Sequence, residues 1–253
     1  MPVACAGDLR VTAVLILGGT GEGRRLADQC VGLSGISVVS SLAGRVRSPK
    51  VPQGEVRIGG FGGETGFRDW VIGHGIDAVV DATHPFASVM TGTAAKVTGE
   101  LGIPFVVLRR PGWAEQPGDR WHWVDSVAAA AEALGDETAF LTTGREELKA
   151  FAHLPNRFVV RSVDPPEPPM PSNLYTVLDR GPFTVEGERR LMREHAIEVL
   201  VTKDSGGDMT SAKLQAAREL RLPVIMVRRP PLPDVETVDS VAAAVRWLGT
   251  VAG

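Results

Sequence analysis

Short apolar runs recur along the chain at intervals that suit alternating strands and helices. Residues Val11 to Leu17 (VTAVLIL), Ile36 to Ser41 (ISVVSS) and Ala78 to Asp81 (AVVD) are almost continuously apolar or β-branched. That is the pattern of strands buried on both faces of a parallel sheet. Arg24 to Ala27, and the stretch from Phe86 to about Leu101, read as helices. Parallel neighbours need crossover connections, so the expected class is α/β with doubly wound parallel sheets.

The pattern occurs twice. Ile103-Pro104-Phe105-Val106-Val107-Leu108-Arg109-Arg110-Pro111 is matched 119 positions later by Leu222-Pro223-Val224-Ile225-Met226-Val227-Arg228-Arg229-Pro230. The heptapeptide VDSVAAA starts at Val124 and again at Val238, and Val38-Val39-Ser40-Ser41 pairs with Val159-Val160-Arg161-Ser162. Repeats this far apart mark duplicated domains and not a solenoid. The expectation is two Rossmann-like domains, residues 1–136 and 137–253, joined near Leu134 to Thr138. Ligands in such sheets lie beyond the carboxyl ends of the strands, which places the expected active site in the cleft between the two.

Composition narrows the field. A chain of 253 residues, 43% hydrophobic and 23% charged, is globular, and a net charge of −3 argues against non-specific nucleic-acid binding. Cys5 and Cys30 cannot supply a metal quartet or a disulfide framework, so no metal site is expected. The start has no cationic segment followed by an apolar one, and no run approaches the roughly 20 residues that cross a bilayer. The expectation is a cytoplasmic protein with no membrane partner.

Gly18-Gly19-Thr20-Gly21-Glu22-Gly23 follows the first strand and opens a helix, the arrangement of a phosphate cradle. A P-loop is excluded, because Arg24-Arg25 stands where Lys-Ser/Thr is required. The dinucleotide fingerprint fits if Gly19 and Gly21 are its first two glycines, with Arg24 replacing the third. The alternative is a tight turn without a ligand. The second strand ends in Ser40-Ser41-Leu42-Ala43-Gly44-Arg45-Val46-Arg47, without the acid that would hold the ribose hydroxyls of NAD. A guanidinium suits a 2′-phosphate, so the inferred preference is NADPH. The alternative is that Arg45 and Arg47 are solvated loop charges.

The second half replaces the glycine turn with Thr142-Thr143-Gly144-Arg145-Glu146, too few glycines for a pyrophosphate. Arg161-Ser162 and Thr202-Lys203-Asp204-Ser205-Gly206-Gly207 remain favourable to an anion. The first domain is therefore expected to hold the dinucleotide, and the second an anionic partner.

LILGGTGEGRRLA, SSLAGRV, DATHPFA, TKDSGG and LPVIMVRRP together resemble the precorrin-6A reductase family of cobalamin biosynthesis, along almost the whole chain. The resemblance implies NADPH-dependent reduction of one double bond of a tetrapyrrole, giving precorrin-6B. It implies that Gly18, Gly19, Thr20, Gly21 and Glu22 line the cofactor turn. Ser40, Ser41 and Arg45 would face the ribose phosphate, with Thr83 also on the cofactor. Thr143, Gly144, Arg161, Ser162, Lys203, Asp204, Ser205 and Gly206 would meet the substrate. Some relatives act on the cobalt-containing intermediate; the metal-free one is favoured here. A pathway role also implies transient contact with neighbouring enzymes.

The substrate is a flat macrocycle fringed with carboxylates. Arg109, Arg110, Arg161, Lys203, Arg228 and Arg229 could meet them in charge-assisted hydrogen bonds. A proton must accompany the hydride. His84, after the fourth strand, is the first candidate donor, Tyr175 and Lys203 the next, and solvent an alternative. The competing classes are a non-catalytic NADP(H) sensor and a nucleotide-sugar transferase. No Gly-x-Ser-x-Gly elbow or paired CxxC supports a hydrolase or a zinc site.

Overall fold

A computed structural model describes residues 11–44 and 51–252, and the chain divides into two compact units. One runs up to Arg110 and resumes at Pro231; the other is Pro111–Pro230. The early strands are β1 (Thr12–Leu17), β2 (Ile36–Leu42), β3 (Glu55–Ile58), β4 (Ala78–Asp81), β5 (Phe105–Leu108) and β6 (Trp121–Val124). The later ones are β7 (Ala139–Leu141), β8 (Phe158–Ser162), β9 (Leu174–Leu178), β10 (Val199–Lys203), β11 (Val224–Val227) and β12 (Thr237–Val238). They form two six-stranded sheets, ordered β12-β5-β4-β1-β2-β3 and β6-β11-β10-β7-β8-β9. Every pairing in both is parallel.

Alternation along β1 explains the layers. Val14 and Ile16 face a core shared with Leu26 and Ala27 of α1 (Gly21–Cys30) and with Trp247 and Leu248 of α7 (Val241–Val251). Leu15 and Leu17 face the other way, onto Phe67 and Val71 of α2 (Gly63–Gly73) and Ala94 and Val97 of α3 (Ser88–Leu101). A strand covered on both faces has no polar side, hence the continuous apolar run. In the second unit, Phe140, Val159 and Leu200 pack against Met192 of α5 (Val185–Glu194) and Leu214 and Ala217 of α6 (Ala212–Glu219).

The two sheets have the same order if β6 and β12 are exchanged. Strand β6 follows the first unit's strands but pairs with β11, Trp121 opposite Val224. Strand β12 follows the second unit's strands but pairs with β5, Thr237 opposite Val107. The expected boundary at residues 136 and 137 is therefore corrected: the segment after Pro111 belongs with the second unit and that after Pro231 with the first. The repeated VDSVAAA hides this exchange in the sequence. Ser126 Oγ caps α4 (Val127–Glu132) by accepting from Ala129 N–H at 3.0 Å, and Ser240 Oγ caps α7 by accepting from Ala243 N–H at 3.3 Å. Two strand-cap-helix pieces so alike carry no local mark of the sheet each joins. Among the described residues, no helix is long and apolar enough to cross a membrane.

Candidate active site

The glycine turn joins the carboxyl end of β1 to α1. Thr20 caps the helix: its Oγ1 accepts from Gly23 N–H at 3.0 Å and donates to the Ala82 carbonyl at 2.7 Å. One hydroxyl thereby ties the turn to the end of β4. Gly19 has φ +124°, a conformation that disfavours any side chain. Gly23 is the point of closest approach: a Cβ there would lie 3.1 Å from Ala82 Cβ and 3.4 Å from Gly18 Cα. Gly23 therefore does what the third glycine of a dinucleotide fingerprint does, packing helix against strand. The register read from sequence is corrected by one residue: the motif starts at Gly18, has Thr20 in second place and ends at Gly23, not at Arg24.

The neighbouring strand ends complete this edge. Gly18 N–H donates to the Ser41 carbonyl at 2.9 Å. Ser41 Oγ accepts from Arg57 Nη1 at 2.9 Å. Ser40 Oγ, on a residue only 2% exposed, has no partner. Glu22, in the first turn of α1, accepts from Arg110 Nη1 at 2.7 Å and from Arg25 Nη2 at 2.8 Å. Burial alone would raise its pKa; the Arg110 charge, its own backbone N–H and Arg25 outweigh that and hold it below the ordinary value.

Beyond β4, the buried Asp81 accepts from Thr83 N–H at 2.9 Å and from Thr91 Oγ1 at 2.5 Å. His84 lines a small hollow with Asp81, Thr83, Arg109 and Leu232. Its Nδ1 accepts from Phe86 N–H at 3.3 Å, so in the neutral ring the proton sits on Nε2.

In the second unit, the ends of β7, β8 and β10 bring Thr143, Gly144, Arg161, Ser162 and Lys203 to one edge. Thr143 Oγ1 is buried without a partner, and Gly144 has φ +100°. Arg161 Nη1 lies 2.7 Å from Glu188 Oε1, with its guanidinium carbon 3.5 Å from the Phe183 ring centre. Lys203 Nζ lies 2.6 Å from Glu147 Oε1. Asp204 accepts from Trp113 N–H at 2.9 Å and pairs with Arg229 at 3.1 Å, and Arg229 Nη2 donates to the Pro111 carbonyl at 3.0 Å.

The family described as precorrin-6x reductase CbiJ/CobK matches residues 13–249. The chain belongs to the precorrin-6x reductase family. It is 54% identical to a precorrin-6A reductase of Rhodococcus erythropolis, covering 95% of this chain and 99% of that one. It is 49% identical to a precorrin-6A reductase of Mycobacterium tuberculosis, covering 94% and 98%. A solved structure titled CobK precorrin-6A reductase superposes with a TM-score of 0.90 at 39% identity, covering 95% of this chain and 97% of that one.

Within this precorrin-6x reductase fold, the residues expected at the site are brought together only in part. Gly18, Gly19, Thr20, Gly21, Glu22, Ser40, Ser41, Thr83 and His84 gather at the carboxyl edge of the first sheet. Arg45 and Arg47 lie outside the described residues. Tyr175 does not reach its sheet's carboxyl edge: it pairs with Val159 early in β8 and packs on His195, rings 4.5 Å apart. His195 ends α5, before β10 begins, so Tyr175 is withdrawn as a proton donor.

Five of the six cations expected to meet substrate carboxylates already face acids of the protein, and the sixth, Arg109, lines the hollow beside His84. Arg110 faces Glu22, Arg161 Glu188, Lys203 Glu147, Arg228 Asp125 and Arg229 Asp204. Asp204 and Gly206 fasten the loop after β10. A Cβ at Gly206 would collide with the Pro111 carbonyl, and one at Gly112 would come 2.6 Å from Asp204 Oδ2. Sequence reading missed Arg57 and Lys213. Arg57 sits on a short strand that reads as ordinary polar alternation. Lys213 is buried, 3% exposed, with Nζ 2.7 Å from the Thr210 carbonyl and 4.6 Å from the Trp113 ring centre. Burial and the Arg161 charge, partly offset by Glu188, push its pKa down to about 7.

Proposed function

We propose that the protein reduces precorrin-6A with NADPH, giving precorrin-6B, with the cofactor on the first unit and the tetrapyrrole recognised by loops of the second. Family membership along residues 13–249 carries the reading. The turn fits the cofactor by its own geometry: Gly18 and Gly23 sit where a Cβ would crowd its neighbours, and α1 opens behind them with its N–H groups. When bound, NADPH supplies the hydride.

The residues of the chain supply the rest. Backbone N–H groups inside the turn, from Gly19 to Glu22, would hold the diphosphate, and Thr20 keeps that turn fixed to the end of β4. Glu22 holds Arg110 beside the turn. His84 would hold the proton to be delivered at Nε2, its ring oriented by the Phe86 N–H. Orientation of the reacting groups is the main contribution available to such a protein. Thr143, Gly144, Ser162 and Ser205 offer hydroxyl and backbone groups to the substrate. Arg161 and Lys203 are already neutralised by Glu188 and Glu147, so they shape the local field without adding net positive charge.

The metal-free substrate is favoured over the cobalt form. The relatives at 54% and 49% identity are precorrin-6A reductases, whereas the cobalt-precorrin-6A reductase of Priestia megaterium is 31% identical. The test is direct: purified protein, NADPH and precorrin-6A are mixed, and nicotinamide absorbance is followed beside the pigment spectrum. Loss of one NADPH per pigment reduced is expected. Binding without turnover would leave an NADP(H) sensor; turnover with the cobalt form alone would reverse the substrate assignment.

A further inference from the structure

Arg57 differs from the other cations at these strand ends in having no acid. Its Nη1 donates to Ser41 Oγ and to the Gly59 carbonyl, both at 2.9 Å, and its Nη2 donates to the Gly60 carbonyl at 3.0 Å. Its guanidinium carbon lies 3.8 Å from the Phe61 ring centre. Of the five N–H donors of an arginine, these bonds use three. Nε–H and one Nη2–H are outside these bonds. No described carboxylate lies within ion-pair distance of Arg57, whereas Arg110, Arg161, Lys203 and Arg229 each have one. Partial burial of this unneutralised charge lowers its pKa.

Position gives these remaining donors a meaning. Ser41 links Arg57 to the glycine turn, since its carbonyl accepts from Gly18 N–H while its hydroxyl accepts from Arg57. Arg57 thus sits at the ends of β2 and β3, on the side of β1 away from β4. In a doubly wound sheet, the ribose of the adenosine half lies over the end of the second strand, and an arginine there accommodates a 2′-phosphate. A phosphate takes two parallel N–H donors in a fork, and a planar cation backed by an aromatic ring is oriented before it binds.

We propose that Arg57 binds the ribose 2′-phosphate and sets the preference for NADPH over NADH. The inference rests on the cofactor reading above and adds the residue that discriminates. A role confined to bracing residues 59–61 would use the same three hydrogen bonds, so the test must separate recognition from bracing.

Dissociation constants for NADPH, NADH, 2′,5′-ADP and 5′-AMP are measured by calorimetry on wild type, Arg57→Met and Arg57→Lys, without substrate. Loss of a charge-assisted fork predicts NADPH weakened about ten- to a hundred-fold in Arg57→Met, with NADH changed less than about two-fold. The advantage of 2′,5′-ADP over 5′-AMP should collapse in parallel, and Arg57→Lys should fall between. Should Arg57→Met fail to fold, Arg57→Lys carries the comparison through its lost fork. Equal weakening of NADPH and NADH, or unchanged selectivity, overturns the role of Arg57 alone. Selectivity lost only in Arg45→Ala, run alongside, also overturns it. Wild-type protein that binds NADH as tightly as NADPH overturns the underlying cofactor assignment as well.

Discussion

Glu22 and Arg110, 88 residues apart, meet with Oε2 and Nη1 separated by 2.7 Å. The acid belongs to the turn proposed for a diphosphate, so its charge would oppose the ligand if left bare. Arg110 neutralises it, and Arg25 adds a second, more exposed contact.

That pairing has a pH signature. A carboxylate whose pKa is lowered on folding contributes stability above its unfolded value, near 4.5, and loses it as pH falls through the folded value. Wild type should therefore melt above Glu22→Gln at pH 7, and the gap should close below about pH 4.5. Calorimetric melting of both proteins from pH 7 to pH 3 checks this; a gap independent of pH would remove the electrostatic account.

Gly23→Ala tests the corrected glycine register. Alanine in a helix gains about 1 kcal/mol over glycine. Against this, its Cβ would press on Ala82 Cβ at 3.1 Å and the Ala82 carbonyl at 3.3 Å. Overpacking of this kind costs about 1–3 kcal/mol, so the urea midpoint should fall and NADPH should bind more weakly. Arg24→Ala, at the position first read as the third glycine, should do neither.

The parts legible in sequence were those coded by neighbours in the chain. Apolar runs gave the central strands of both sheets, though not β3 or β9, and the glycine turn gave the start of α1. Two features were not local. The exchange of β6 and β12 turns on which of two identical VDSVAAA segments enters which sheet, and both carry the same serine cap. The pairing of cations turns on contacts such as Arg161 with Glu188 and Arg229 with Asp204, made only once the chain has folded. Arg57 was hidden for the same reason, since its meaning comes from Ser41 on the adjoining strand and Phe61 beneath it.

Asp204→Ala should separate loop anchoring from cofactor binding. Asp204 holds Trp113 N–H and Arg229 at once, and its removal leaves a largely buried guanidinium without its counter-charge. Loss of one partner from a buried pair costs about 3 kcal/mol or more. The expected variant is less stable and turns over precorrin-6A poorly, yet binds NADPH with wild-type affinity by calorimetry. A matching loss of NADPH affinity would show that the loop after β10 serves the cofactor as well.

Lys213 makes the opposite prediction, a substitution that stabilises. Its ammonium is enclosed by the second unit's core, with one carbonyl acceptor and the Arg161 charge close enough to disfavour it. The folded pKa is about 7 against an ordinary 10.5. Between those values the unfolded chain binds a proton that the folded one does not, so stability rises with pH across that window. Below about pH 7 both states are charged and the penalty is fully present. Lys213→Met removes the titrating group while filling similar space, at the loss of the Thr210 hydrogen bond and the contact with Trp113. It should melt higher than wild type at pH 7, and the advantage should shrink steadily towards pH 10. Melting curves at half-unit intervals would show it, and an advantage that grew with pH would mean that Lys213 is held as a charge and not in spite of one.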